Sequence, residues 1–443
     1  MTPQPAAPTA PLPRTLDADS PDHVRRGEVR GIDAILFASF GGPQGQEDVI
    51  PFLRNVTRGR GIPDERLEEV AGHYRALGGV SPITAQNEAL IAALEQELAS
   101  RGVDLPVYFG NRNWAPYVTD TVRQIHADGH RHVLGLVTSA YSSYSSCRQY
   151  REDFGMALEE TGLAGELTID KARVYFNHPG FLEPVLDGVR EALESLRREG
   201  HDTDRVRVLF STHSVPLAMA EASGPQSTRT PGSGGWYVAQ HLAACRWVME
   251  ELDDELADVP AWELVYQSRS GAPHVPWLEP DVNDVIERVA AGDQADAVVV
   301  VPIGFVTDHV EVVWDLDTEA KDTAAEHDLA FRRVPTSGAD PRFAAALADL
   351  VQERLDPSFE RRALTDFGMT PDVCGARCCV GRMYRPTTAG VDSEEDVAAA
   401  RDAAAQGSTV QGVAVPSSTP SDEHGDGSTR HPSAPPQTGQ AVS

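Results

Sequence analysis

Ile35-Leu36-Phe37-Ala38-Ser39-Phe40-Gly41-Gly42-Pro43 and Val208-Leu209-Phe210-Ser211-Thr212-His213-Ser214-Val215-Pro216 line up residue for residue. Each reads as an apolar strand, then small or polar residues, then a proline turn. Two such strand ends far apart in one chain predict two similar α/β halves, whose first strands aim their C-terminal ends at a shared cleft. Further β-branched or apolar runs predict strands over Gly31–Ser39, Pro106–Phe109, His132–Thr138, Arg205–Thr212, Trp262–Gln267 and Ala295–Phe305. Between them, amphipathic spacing predicts helices over Asp64–Leu77, Thr84–Arg101, Tyr117–Asp128, Gly180–Glu199, Val238–Glu255 and Asp281–Ala291. Such alternation implies parallel sheets covered by helices on both faces, a doubly wound arrangement. Ligands of open α/β sheets bind beyond the C-terminal strand ends, so chemistry is sought there. No G-x-G-x-x-G follows the first strand, which discounts a dinucleotide-binding oxidoreductase.

The chain divides by composition. Residues 1–28 are rich in Pro, Ala and Thr and read as a disordered leader. Residues 29–180 and 181–335 are read as two domains. Residues 336–385 are read as a helix returning to the first domain, followed by a cysteine-bearing segment. Residues 386–443 form a Ser, Thr, Pro and Asp-rich acidic tail that cannot bury a core. The formal net charge of −29 over 443 residues argues against nucleic acid and anionic lipid as partners. No apolar run reaches the roughly 18 residues a membrane span needs, and the N-terminus lacks the charged start and apolar core of a signal peptide. A cytoplasmic monomer without integral membrane association is expected.

Three constellations carry chemistry. His213 follows its strand directly and so sits at the mouth of a sheet, where an imidazole takes up protons or binds metal near neutral pH; a turn histidine bonded to backbone is the plain alternative. In Val298–Ala320 the strand gives way to a helix capped by Thr307 or Asp308, and Asp308-x-x-Glu311 has the form of a capping box. Glu311, Asp315 and Glu319 then recur every fourth residue along one helical face. That stripe is either a solvated face or a path of oxygen ligands for a divalent metal. Finally, Cys374-Gly-Ala-Arg-Cys378-Cys379 gathers three of the five cysteines. Cys147 stands alone upstream, and Cys245 reads as a buried helical residue. Arg377 and Arg382 would lower nearby thiolate pKa values. Three clustered thiols and a distant fourth suffice for a [2Fe–2S] cluster or a structural zinc, while a redox disulfide stays open. The spacing matches no common ferredoxin or zinc-ribbon pattern.

Seven segments in order, SFGGP (39–43), FLRNVTRGRGIP (52–63), HYRALGGVSPI (73–83), GNRNWAPY (110–117), FSTHSVP (210–216), YQSRSGAPHVPWLEP (266–280) and PIGFVTDHVEVVWDLD (302–317), resemble the ferrochelatases. The resemblance implies two Rossmann-like domains of the class II chelatase fold, each a parallel sheet with helices on both faces, with the porphyrin held between them. It places the family's active-site histidine on His213, its partner glutamate on Glu311, and its acidic metal path on Glu311, Asp315 and Glu319. Those four residues thereby become the handlers of substrate Fe²⁺. Trp114 and Tyr141 match pocket positions of the family, and Phe40 and His309 are placed beside the substrate with them. Tyr237 offers further aromatic surface and Arg58 a guanidinium for the porphyrin carboxylates, with packing or plain surface as the alternative. Some bacterial relatives carry tyrosine where Phe40 stands; phenylalanine has no oxygen to give an iron.

The C-terminal cysteines resemble the [2Fe–2S] branch of the family, with Cys147, Cys374, Cys378 and Cys379 as ligands, although the adjacent pair departs from the spacing of animal enzymes. Among bacterial members the chain is most like those acting on coproporphyrin III, and insertion of Fe²⁺ into that porphyrin is the expected reaction. Protoporphyrin IX is the alternative substrate. A non-catalytic porphyrin or haem carrier is the alternative from another class.

Overall fold

A computed structural model describes residues 31–390, apart from 60, 257, 272–273, 376 and 382–384. The proposed leader, Arg382 and nearly all of the acidic tail lie outside the described residues. Those described belong to one compact unit.

The first half runs β1 (Ala34–Ser39), α1 (Val49–Val56), α2 (Asp64–Ala76), α3 (Ile83–Ser100), β2 (Val107–Asn111), α4 (Val118–Ala127), β3 (His132–Val137), α5 (Gln149–Thr161) and β4 (Thr168–Lys171). The second runs α6 (Pro179–Arg198), β5 (Val206–His213), α7 (Leu217–Glu221), α8 (Gly235–Asp253), β6 (Ala261–Gln267), α9 (Val282–Ala291) and β7 (Ala297–Val301). It continues through a single turn, α10 (Val310–Val312), a π-helix (Val313–Ala320), α11 (Lys321–Glu326), β8 (Ala330–Arg333) and α12 (Pro341–Leu355). Each half builds a four-stranded sheet, ordered β2-β1-β3-β4 and β6-β5-β7-β8. Every pairing is parallel. β1 and β7 are buried along their whole length, as expected of strands covered on both faces.

In both sheets the chain order reverses beside the first strand, so the switch points fall between β1 and β3 and between β5 and β7. His213 closes β5. The segment after β7 turns directly past it: Gly304 donates its N–H to the Ser211 carbonyl at 3.1 Å, and a Cβ on Gly304 would stand 2.0 Å from Thr212 Oγ1. Only glycine permits that approach.

The six predicted strands are all present, the last ending at Val301 and not at Phe305. α12 packs on α3 and α6 and so bridges the two halves. Its Asp349 accepts from Arg101 at 2.5 Å, and His178 Nε2 lies 3.3 Å away. Arg173 and Glu353 add a fully buried fork–fork pair at 2.8 and 2.9 Å. Arg361 also reaches Glu353 at 3.2 Å, so removing Glu353 is the damaging change: it costs about 3–5 kcal/mol, because the buried Arg173 guanidinium loses its carboxylate.

Candidate active site

The peptide linking His213 to Ser214 is held on both edges. Its N–H donates to the Gln267 carbonyl at 2.8 Å, and its C=O accepts from the Tyr237 hydroxyl at 2.8 Å. The His213 Nδ1–H donates to the Ser214 carbonyl, which turns Nε2 toward Glu311 Oε2, 3.6 Å away. That separation is ion-pair range and too long for a direct hydrogen bond. The two side chains are 36% and 43% exposed, so they face open space and water screens the pair. Burial alone would lower the His213 pKa, but Glu311 outweighs it and the pKa is raised. Burial alone would raise Glu311, but His213 outweighs it and holds the carboxyl at about 2.

Glu311 lies in α10, whose N-cap is His309 in an extended conformation with no side-chain cap bond. The capping box expected from Asp308 and Glu311 therefore does not form. Asp308 instead pairs with Arg333 and accepts from Gln86 Nε2 at 3.4 Å, while its N–H donates to Gln86 Oε1 at 2.8 Å. His309 is half-buried and rests edge-on against Phe305; burial first, then the charge of His213, lowers its pKa.

The acidic face continues along the π-helix. Asp315 accepts from Gln267 Nε2 at 3.2 Å and from the Ser268 hydroxyl. Burial drives its pKa up to about 7, helped by the charges of Glu311 and Glu319 and opposed by the Ser268 bond. Glu319 is exposed and accepts from Trp314 Nε1 at 2.8 Å. The Trp314 ring stacks on His73 from α2, with centroids 4.3 Å apart and planes 8° from parallel. Thus the first half closes over the acidic helix through a contact that sequence reasoning missed. Ser268, Gln267 and Tyr74 were missed as well. Burial, reinforced by the charges of Glu311 and Asp315, raises Tyr74 well above the usual phenol range. All lie inside the segments that carry the family resemblance, which was the available signal.

Phe40 is 38% exposed and leans edge-on against Phe52, which in turn meets Trp114; both centroid distances are 6.2 Å. Arg58 is exposed at the end of α1 and bonds Asn55 Oδ1 at 2.6 Å. Tyr141 and Tyr237 are placed otherwise than expected. Tyr141 is buried, donates to the Ile303 carbonyl at 3.1 Å and stacks on His241 at 3.6 Å. Tyr237 is buried behind His213. Both lie in the core, Tyr141 among Phe176, Phe181 and His241, and Tyr237 against His241 and Thr212.

Cys147, Cys374, Cys378 and Cys379 converge, and all are free thiols. Cys147 and Cys378 share their protons with Cys374 and Cys379; those bonds pull Cys374 and Cys379 below the ordinary thiol range and push Cys147 and Cys378 above it. The Sγ atoms of Cys378 and Cys379 are 3.8 Å apart, and Gly224 N–H donates to Cys379 Sγ at 3.2 Å. Arg151 and Lys171 favour the Cys374 thiolate, the part assigned from sequence to Arg377 and Arg382. Cys147, Cys374 and Cys378 line one pocket with Lys171, Arg173 and Trp236. No group of three or more His, Cys, Asp or Glu side chains among the described residues is already set as a metal cage. Cys245 is fully buried in α8, as expected.

Two switch-point sheets, a histidine–glutamate pair at the end of β5 and a carboxylate-lined helix leading away define a metal-handling α/β protein. Residues 32–355 match the ferrochelatase family, and the chain belongs to it. It is 55% identical over 370 residues to the coproporphyrin III ferrochelatase of Leifsonia xyli, covering 81% of this chain and 94% of that one. It is 54% identical over 370 residues to the coproporphyrin III ferrochelatase of Streptomyces coelicolor, covering 82% and 96%. A ferrochelatase of Rhodopirellula baltica is 44% identical over 363 residues, covering 82% and 97%. No helix among the described residues is long and apolar enough to cross a membrane.

Proposed function

We propose that this protein inserts Fe²⁺ into coproporphyrin III and releases coproheme. The observation that carries the reading is the His213–Glu311 pair, facing at 3.6 Å where the second sheet reverses its strand order. Relatives at 55% and 54% identity that bear that activity in their names support the substrate.

The chemistry requires two pyrrole N–H protons to leave as iron enters. His213 Nε2 receives the first, Glu311 stabilises the imidazolium that forms, and release of that proton to water at the open face frees Nε2 for the second. Glu311, Asp315 and Glu319 offer hard oxygen ligands along one line, which suits delivery of a divalent cation. Phe40 and Trp114 offer aromatic surface for the macrocycle, and Arg58 offers a guanidinium for its propionates. A cleft that bends the flat ring with binding energy from these remote contacts exposes the nitrogen lone pairs to the metal. Coproporphyrin III carries four propionates and is water-soluble enough to reach a cytoplasmic enzyme.

The four convergent thiols fit a [2Fe–2S] cluster: they are close together, sit among cations, and one already accepts a backbone N–H bond. Cys147, Cys374, Cys378 and Cys379 would hold it, cross-linking the C-terminal segment to the first half and supplying a one-electron redox couple there. A structural zinc would use the same donors; acid-labile sulfide and iron content separate the two.

The test is anaerobic turnover with Fe²⁺ and either porphyrin, followed by loss of porphyrin fluorescence. Metalation of coproporphyrin III in preference to protoporphyrin IX supports the reading. The reverse preference changes the substrate, and tight binding without metalation makes the protein a carrier.

A further inference from the structure

Behind His213, away from the open face, lies a buried polar chain that the reaction itself does not touch. His241 is fully buried and donates Nδ1–H to the Tyr237 carbonyl at 2.7 Å. A carbonyl only accepts, so the tautomer is settled and Nε2 keeps its lone pair. Burial lowers the His241 pKa to about 3, which keeps the ring neutral. The ring is clamped by Tyr141, stacked at 3.6 Å and 10°. Thr212 Oγ1 lies 2.9 Å from Nε2 and must spend its proton there. The Tyr237 hydroxyl, 2.9 Å from the same Thr212 oxygen, is then left with its own proton to give. That proton faces two acceptors, the His213 carbonyl at 2.8 Å and Thr212 Oγ1 at 2.9 Å. From the buried end outward the proton order is thus fixed as far as Tyr237, whose hydroxyl can only donate along this chain.

We propose that Tyr237 is a positioning residue for His213, holding the 213–214 peptide so that the imidazole keeps a single tautomer and a single direction toward Glu311. The peptide is pinned on its N–H edge by the Gln267 carbonyl and on its C=O edge by the Tyr237 hydroxyl. Ser214, whose carbonyl receives the His213 Nδ1–H, hangs from that peptide, and its hydroxyl is anchored to the Leu278 carbonyl at 2.8 Å. Tyr237 is held in turn by its own N–H, donated to Ser223 Oγ at 2.8 Å. Removing the phenolic oxygen frees one edge of the peptide, lets the Ser214 carbonyl swing, and lets the imidazole populate its other tautomer. Misplacing a reacting group by about 1 Å costs on the order of 100-fold in rate.

The proposal rests on the ferrochelatase reading for its kinetic arm and not for its spectroscopic one. Tyr237→Phe preserves shape and burial. Tyr175→Phe is its control: that hydroxyl is equally buried and donates to the Val137 carbonyl at 2.7 Å, at the end of a strand in the other half. Both variants and the wild type are compared in anaerobic Fe²⁺ insertion and in long-range ¹H–¹⁵N spectra of ¹⁵N-histidine protein. Tyr237→Phe is expected to lower kcat about 10- to 100-fold at unchanged porphyrin KM, and to convert the Nδ1–H signature of His213 into a tautomer mixture. Tyr175→Phe is expected to keep both. A Tyr237→Phe enzyme with wild-type kcat and an unchanged tautomer overturns the proposal, as does a rate loss that Tyr175→Phe matches. If the wild type itself fails to metalate a porphyrin, the functional reading fails, while the tautomer comparison still decides whether Tyr237 positions His213.

Discussion

The two halves of this molecule share a strand order, and each interrupts its chain with a π-helical stretch after the strand beside its switch point. After β3 comes Tyr144–Arg148, which carries Cys147 into the core; after β7 comes Val313–Ala320, which carries Asp315 and Glu319 along the open face. π-turns are rare and gather at functional sites. Here one carries a buried cysteine, and the other a row of carboxylates that runs from half-buried Asp315 out to exposed Glu319. The strand ends diverge in the same way. β1 leads into Phe40, backed by Phe52 and Trp114, whereas β5 ends on His213, backed by hydroxyls and an imidazole. One scaffold position supplies an apolar wall and its counterpart supplies an ionisable group. The difference comes from what packs behind each strand end and not from the strands themselves.

The division of labour is broken most directly at the strand ends. Replacing His213 by alanine should cut anaerobic iron insertion by about 10²- to 10⁴-fold with folding intact, the range for losing a proton-transferring side chain. Phe40→Ala should mainly raise the porphyrin KM. If both variants lose kcat equally, the two ends do not divide the work.

Glu311→Gln should cost about 100-fold and also move the pH profile. Glu311 raises the His213 pKa, and the free base takes the pyrrole proton, so the wild-type rate climbs as pH rises through that raised value. Without the carboxylate the His213 pKa drops, and the rising limb should shift to lower pH. An unmoved limb would detach Glu311 from His213.

For the proposed [2Fe–2S] cluster, Cys378→Ser should abolish visible charge-transfer absorption and acid-labile sulfide, and lower Tm by several degrees, since the binding energy of such a group is also folding energy. Retained absorption would remove Cys378 from the ligand set.

The smallest effect sharpens the carboxylate side. In metal-free protein, folded Asp315 holds its proton up to about pH 7, against 3.8 for a free side chain. Unfolding releases that proton in between, so wild-type stability falls as pH rises from about 4 to 7. Asp315→Asn does not titrate, and its Tm advantage over wild type should grow across that window, reaching about 2 °C or more. A constant difference would mean that Asp315 is ionised throughout.

Much of this was written locally. β1, β3, β5 and β7 are apolar runs, and α4, α6 and α9 are periodic, because burial of a face leaves a repeat that neighbouring residues reveal. β4 (TIDK) and β8 (AFRR) were not legible, since short edge strands bearing charges lack that repeat. α5 hid for the opposite reason: it buries Arg151 and Glu152, which a hydrophobicity pattern scores as surface.

His213, Glu311 and the clustered cysteines were singled out by residue type, position and resemblance. Their meeting was not written there. The 3.6 Å approach of His213 and Glu311, the arrival of Cys147 at Cys374 and Cys379, and the stacking of His73 on Trp314 join segments far apart in the chain. The burial that lifts Asp315 and withdraws Tyr141 and Tyr237 from the open face depends on the same packing. Sequence periodicity carries information over a few residues, so it determined the elements and the candidate side chains. Which of them share a site was decided by sheet order and the close crossing at Gly304, and only the tertiary structure contains those.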